Sequence, residues 1–266
     1  MSALTARLAA IRAERRAALI GYLPMGYPSV DGSIRAILAM VEAGVDIVEV
    51  GVPYSDPVLD GPVIQEAAEA ALTRGVRVAD AFAAVSAVHA ADAPAVVMSY
   101  YNPMLQYGLE RFASDLAAAG GSGAITPDLT PDVASQWITA AEAEGLDHIF
   151  LVAPSSTPER LHMTVAHTSG FVYAASLMGV TGERGSVGPA AERLVARTRE
   201  AGAEYVCVGL GVSTGSQAAD VARYADGVIV GSAFVRTLLG AADESAGIAA
   251  LQAKVAELAA GVRGQA

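Results

Sequence analysis

Eight short apolar runs recur along the chain with helix-patterned segments between them, and this alternation limits the fold more than any single residue does. The runs are 18–23, 47–52, 95–99, 123–126, 148–152, 171–174, 205–209 and 227–230. Between them, 33–42, 78–90, 109–119, 131–145, 158–167, 192–201 and 216–225 carry apolar residues at helical spacing. A strand that reaches the next strand through a helix returns to the same end of the sheet, so the pairing is parallel. Eight such units in 266 residues predict an α/β fold of the (β/α)8 TIM-barrel type. An open doubly wound sheet usually has fewer strands and a Gly-rich turn after the first, and no such turn follows Leu23. With 53% hydrophobic and 17% charged residues and no linker, low-complexity tract or charge block, residues 1–266 are expected to form a single domain. The run 245–262 reads as its closing helix.

The first twenty residues set Leu4, Leu8, Ile11 and Leu19 near helical spacing among Arg7, Arg12, Arg15 and Arg16. That pattern predicts an amphipathic N-terminal helix ahead of the first strand, with an organelle transit peptide as the alternative. The arginines interrupt the apolar core that a secretory signal needs, and no other run approaches the roughly twenty apolar residues of a membrane span. A net charge of -11 and a pI near 4.8 argue against non-specific binding to nucleic acid or anionic membranes. The one cysteine, Cys207, lies between Val206 and Val208 and reads as a buried thiol in a cytoplasmic protein.

Lysine usage restricts the chemistry further. The 17 basic residues include a single lysine, Lys254, in the closing helix. A Schiff-base aldolase or an internal pyridoxal phosphate site needs a lysine on the catalytic face. His89, His148, His162 and His167 do not form a carboxylate-supported cluster, so metal catalysis is not expected either.

In a barrel the C-terminal ends of the strands and the loops after them form the active face. There V-D-I-V-E-V-G-V-P-Y-S-D-P-V-L-D-G-P (45–62) places one ionisable residue, Glu49, inside an apolar strand. The period of two groups Ile47, Glu49 and Gly51 on one side and Val48, Val50 and Val52 on the other, which points Glu49 into the barrel. Stripped of water, its carboxyl pKa should rise toward neutrality, as suits a proton carrier, unless a nearby hydroxyl or Arg satisfies it. Asp60 follows across a loop stiffened by Pro53 and Pro57 and is placed to turn a second carboxylate over the mouth. A solvated loop residue or a helix N-cap before 63–71 fits Asp60 as well, and Asp56 reads as a turn or contact residue.

Two Gly-rich turns, G-L-G-V-S (209–213) and G-S-A (231–233), end the last two strands, the second ahead of a short helix. Backbone amides there can hold a phosphate without Lys or Arg. The Gly-dense stretch G-V-T-G-E-R-G-S-V-G-P (179–189) reads as a lid, in which Thr181 can reach Asp60 and Gly182 can add an amide to the phosphate. Tyr100, Tyr101 and Asn102 follow the third strand and either line a pocket, contact a partner or pack under a loop. Tyr22 and Tyr173 either fill the core or flank a flat aromatic substrate.

Taken together, V-E-V-G-V-P-Y-S-D-P-V-L-D-G-P, M-G-V-T-G-E-R, G-L-G-V-S and V-G-S-A resemble the tryptophan synthase alpha subunit family over nearly the whole chain. The resemblance implies cofactor-independent retro-aldol cleavage of indole-3-glycerol phosphate to indole and glyceraldehyde 3-phosphate. It implies that Glu49 carries the proton and that Asp60 accepts from the indole N–H. Tyr173 then matches a pocket tyrosine, Thr181 the lid threonine, and Gly182, Gly211, Gly231 and Ser232 the phosphate cradle, while Tyr22, Met98, Tyr100 and Asp128 take pocket or supporting positions. It further implies a pyridoxal phosphate-containing beta subunit as partner in an alpha2beta2 heterotetramer, docked near Asp56 and Asn102. Leu177, where many relatives carry Arg, and Leu210, in place of a frequent Phe, depart from the pattern. A free-standing indole-3-glycerol phosphate lyase, a non-catalytic phosphate-binding subunit and another phosphate-binding barrel enzyme are the alternatives.

Overall fold

The apolar runs are all strands in the computed structural model, which describes residues 2–175, 189–209 and 211–264. They are β1 (Ala18–Pro24), β2 (Ile47–Gly51), β3 (Ala95–Met98), β4 (Gly123–Ile125), β5 (Asp147–Ile149), β6 (Leu151–Val152), β7 (Val172–Ala175), β8 (Val206–Gly209) and β9 (Gly227–Val230). Every pairing is parallel, and β1 joins the two ends of the chain by pairing with both β2 and β9. The strand order is β5, β4, β3, β2, β1, β9, β8, β7, β6. β5 and β6 are one extended segment interrupted at Phe150, so the chain itself closes the ring there and the expected eight strands become nine segments among the described residues.

The helices are α1 (Ala3–Ala13), α2 (Val30–Ala43), α3 (Pro62–Thr73), α4 (Val78–Ala90), α5 (Tyr101–Tyr107), α6 (Leu109–Ala118), α7 (Ser135–Ala143), α8 (Pro158–Ala166), α9 (Pro189–Glu200), α10 (Gly215–Ala222), α11 (Ser232–Leu239) and α12 (Glu244–Val262). Strand alternation divides the core in two. Val48, Val50 and Val52 join the layer between barrel and helices, whereas Ile20, Ile47, Val96, Ile125, Ile149, Tyr173, Cys207 and Ile229 fill the barrel interior. The predicted phase of β2 therefore holds. The run 131–145 is a 3-10 turn at Pro131–Val133 followed by α7, and α5, which the sequence pattern did not predict, directly follows Tyr100.

α1 plugs the N-terminal end of the barrel. Leu4, Leu8 and Ile11 are 0–1% exposed and belong to the interior cluster, where each fully buried side chain is worth about 1.5–3 kcal/mol. Leu19, grouped with them by spacing, instead lies in β1, because Arg15 takes a left-handed φ of 60° after the helix ends. Aspartates at the strand starts fasten the plug. Asp46 accepts from Arg7 (2.9 Å), Arg16 (2.7 Å) and the Leu19 amide (3.0 Å). Asp226 accepts from Arg12 (3.0 Å), Arg199 (2.9 Å) and the Val206 amide (2.9 Å). Asp147 accepts from Ser2, the N-cap of α1.

Candidate active site

Glu49 lies at the centre of β2, opposite Tyr22 of β1 and Val96 of β3, and is 1% exposed. Partners in a parallel sheet point to the same side, so all three face into the barrel. Oε2 of Glu49 is buried with no hydrogen-bond partner. Burial, helped by the charge of Asp60, pushes its carboxyl up to about 8.

The tyrosines beside it follow one rule. Tyr22 leans over Gly51, two residues past its register partner Glu49, and Tyr173 leans over Gly209, two residues past its partner Cys207. A Cβ on Gly51 would fall 2.6 Å from Cζ of Tyr22, and one on Gly209 would fall 2.7 Å from Cζ of Tyr173. Glycine at these inward positions therefore makes room for two rings at the mouth. Burial and the nearby carboxylates Glu49 and Asp60 raise both phenol pKa values well above the usual range, which keeps them protonated. Met98, the last residue of β3, packs against the same interior cluster.

Asp60 is brought back to this group by the loop after β2. It does not cap α3, whose N-cap is Gly61. Its Oδ1 accepts from the Tyr100 hydroxyl (3.1 Å), and that hydroxyl accepts from the Leu59 amide (3.0 Å). Burial raises the Asp60 carboxyl while the Tyr100 hydrogen bond opposes the rise. Tyr100 is 4% exposed and is held from behind: Asp128 Oδ1 accepts from the next amide, Tyr101 (2.9 Å), at the start of α5. Asp128 is itself exposed on the rim, so it supports Tyr100 from outside the cluster.

Tyr54 belongs to no sequence pattern that marks it as a site residue, yet its ring packs at 5.3 Å from that of Tyr100 and its hydroxyl accepts from Asn102 (3.2 Å). Asp56 is exposed and accepts from Ser55 (2.6 Å), as a turn residue would.

The two glycine turns lie side by side, after the paired strands β8 and β9. Gly211 has a left-handed φ of 69°, a conformation that glycine adopts without penalty. Gly231 is the N-cap of α11 and makes no side-chain cap hydrogen bond, so the first amides of α11, at Ser232 and Ala233, are presented at a positive helix end beside Tyr22. Thr181, Gly182, Leu177 and Leu210, with residues 179–188 of the predicted lid, lie outside the described residues, and the last residue of that stretch, Pro189, begins α9. Among the described residues no group of three or more His, Cys, Asp or Glu side chains is arranged to hold a metal ion. No described helix is long and apolar enough to cross a membrane.

Comparison with known proteins places the chain in one family. A family model described as tryptophan synthase alpha chain matches residues 8–263. The chain is 62% identical over 252 residues to a tryptophan synthase alpha chain of Mycobacterium ulcerans, covering 95% of this chain and 91% of that one. It is 57% identical over 266 residues to that of Thermobifida fusca, covering 99% and 98%. A solved structure of Mycobacterium tuberculosis tryptophan synthase superposes with a TM-score of 0.93 at 58% identity, covering 98% of each chain. A Legionella pneumophila alpha chain at only 29% identity still gives a TM-score of 0.89, covering 98% of this chain and 97% of that one.

Proposed function

Because the chain belongs to the tryptophan synthase alpha chain family, we propose that its barrel mouth cleaves indole-3-glycerol phosphate to indole and glyceraldehyde 3-phosphate, with Glu49 as the proton carrier. The observation that carries this reading is the buried, unpartnered Oε2 of Glu49 on a carboxyl pushed up to about 8. A group of that pKa is mostly protonated at neutral pH and can give its proton and take it back without a large penalty in either direction.

The reaction needs one proton moved over a short distance. Protonation of indole C3 places positive charge on the ring, largely at N1. Loss of the proton from the adjacent glycerol hydroxyl then breaks the C–C bond: its electron pair returns to the indole ring and the oxygen becomes the aldehyde carbonyl. Glu49 delivers the proton to C3 and accepts the hydroxyl proton, so it ends as it began. Asp60 takes a hydrogen bond from N1–H and stabilises the developing charge. The hydrogen bond from Tyr100 favours its ionised form, which is the form this role requires.

Tyr22, Tyr173 and Met98 form walls for the planar ring, and Asp128 supports Tyr100 from the rim. Gly211, Gly231 and Ser232 hold the phosphate by backbone amides, with Gly182 adding an amide and Thr181 meeting Asp60 from the lid. No cofactor acts in this chain. Pyridoxal phosphate belongs to the beta subunit, with which this chain forms an alpha2beta2 assembly through the rim that carries Asp56 and Asn102. Residues 1–266 act as a single domain in the cytoplasm.

The test is to incubate the chain with indole-3-glycerol phosphate, alone and with a beta subunit, and to measure both products. Slow cleavage that the partner accelerates supports the reading, and Glu49→Gln should lower turnover by at least about a thousandfold while the protein stays folded. Fast cleavage by the chain alone favours a free-standing lyase. Retained activity in Glu49→Gln would remove the assignment of the proton carrier.

A further inference from the structure

Lys254 takes no part in the chemistry above, yet the chain's one lysine is directed at the turn that carries Gly211. Its Nζ donates to the Ser213 carbonyl (3.2 Å) and pairs with Glu257 (2.7 Å). Glu257 in turn accepts from the Gly215 amide at the start of α10 (3.0 Å). Leu251, Val255 and Leu258 on α12 are fully buried, so the helix that carries the pair is itself fixed in the core. The backbones of α10 and α12 meet closely enough that a Cβ on Gly215 would come within 2.9 Å of the Glu257 carbonyl.

The other face of the turn is also committed. Gln217 Oε1 accepts from the amides of Ser213 (2.9 Å) and Thr214 (3.3 Å). Downstream amides are thereby consumed, and phosphate binding by this turn falls to the peptide groups around Gly211. A left-handed glycine supplies little stiffness of its own, so the direction of those peptide groups depends on what grips the turn from behind.

Resting on the assignment of this turn to the phosphate cradle, we propose that Lys254, tethered by Glu257, is a positioning residue for the substrate phosphate. It holds the Ser213 carbonyl away from the phosphate side and so fixes the orientation of the amides before it. Its charge also balances Glu257, which otherwise leaves an uncompensated carboxylate behind a site for an anion.

The role separates phosphate binding from proton transfer, and two ligands read that separation. Glycerol 3-phosphate probes the cradle directly in the full-length chain. Indoleglycerol, the substrate without its phosphate, probes the chemistry alone. Lys254→Met should weaken glycerol 3-phosphate by about tenfold and raise KM for indole-3-glycerol phosphate to a similar extent, with kcat within about twofold. Its kcat/KM for indoleglycerol should equal that of the wild type, and Lys254→Arg should recover most of the lost affinity. Glu257→Gln keeps an acceptor for the Gly215 amide and loosens only the tether, so it should give the same split at smaller size, and it carries the test should Lys254→Met not fold.

Wild-type protein that fails to bind glycerol 3-phosphate would sink the cradle, and the brace with it. Wild-type binding with equal affinity in Lys254→Met, or in Glu257→Gln where that variant carries the test, would overturn the brace alone. Equal losses on the phosphorylated and unphosphorylated substrates would also overturn it, because a general loss of structure predicts that pattern.

Discussion

Replacing Glu49 with Gln should make the protein more stable, by an amount that grows with pH. The folded chain holds this carboxyl at about 8, whereas the free side chain titrates at 4.5. Below 4.5 both states carry the proton and the group costs folding nothing. Between the two values the unfolded chain releases a proton that the folded chain keeps, so stability falls by about 1.4 kcal/mol for each pH unit. Above the folded value both states are ionised and the loss is complete. From about pH 5.5 to about pH 7.5 the wild type should therefore lose about 2.5 kcal/mol relative to Glu49→Gln. Any fixed cost of the amide in the pocket adds a constant offset and leaves this slope unchanged. Urea unfolding of both proteins at several pH values measures it, because most other titrating groups cancel in the difference. Asp60 is the partner that does not cancel fully, but burial outranks its charge as the cause of the shift. The slope should therefore persist in an Asp60→Asn background. A difference that stays flat across the window would refute the claim that Glu49 is held protonated, and with it the basis for its role.

Tyr100→Phe removes both the donor to Asp60 and the acceptor for the Leu59 amide, so kcat/KM should fall by about tenfold. The same change withdraws a hydrogen bond that favours the Asp60 carboxylate, so the acidic limb of the pH–rate profile should move to higher pH; an unmoved limb would dissociate Tyr100 from the ionisation of Asp60. Gly51→Ala drives a methyl into the Tyr22 ring and should cost about 1–3 kcal/mol of stability along with most of the activity. Tyr22→Ala costs stability of its own by emptying the site of a ring packed against the core, but pairing it with Gly51→Ala removes the clash, so the double variant should be less destabilised than the sum of the two single changes and still inactive; thermal melts alongside cleavage assays would show both.

The sequence carried the barrel because each apolar run alternates with a helical pattern, a signal spread over the whole chain. It carried Glu49 because a charge on the inward phase of a buried strand is legible from periodicity alone. Asp60 was harder. Its position depends on a loop whose path is set by Tyr100, about forty residues away, and local residue patterns do not record such a contact. α5 was missed because its seven residues, one of them Pro103, are too few to show a helical period. Phe150 falls in the middle of the apolar run 148–152, and the interruption there follows from closure of the barrel, a property of the ring and not of the segment. Tyr54 and Lys254 act through partners on other elements, so no motif announced them. The glycines at 51 and 209 were visible as letters, but their purpose required knowing which ring leans over each.

The two ends of the barrel treat buried carboxylates in opposite ways, and the contrast argues that the state of Glu49 is selected. Asp46 is 2% exposed and Glu49 is 1% exposed, three residues later on the same strand approach. Asp46 receives two guanidinium groups and a backbone amide, the arrangement that makes a buried charge tolerable. No described arginine or lysine is paired with Glu49, and one of its oxygens has no partner. The chain has arginines that neutralise carboxylates at the N-terminal rim of this barrel, since Arg7, Arg12 and Arg16 do so around α1. A cation beside Glu49 would pull its pKa down and fix it as a carboxylate, which makes a poor proton donor. Leaving it unpaired costs stability and keeps the proton available, so the N-terminal end of the barrel supplies the anchoring that the C-terminal end forgoes.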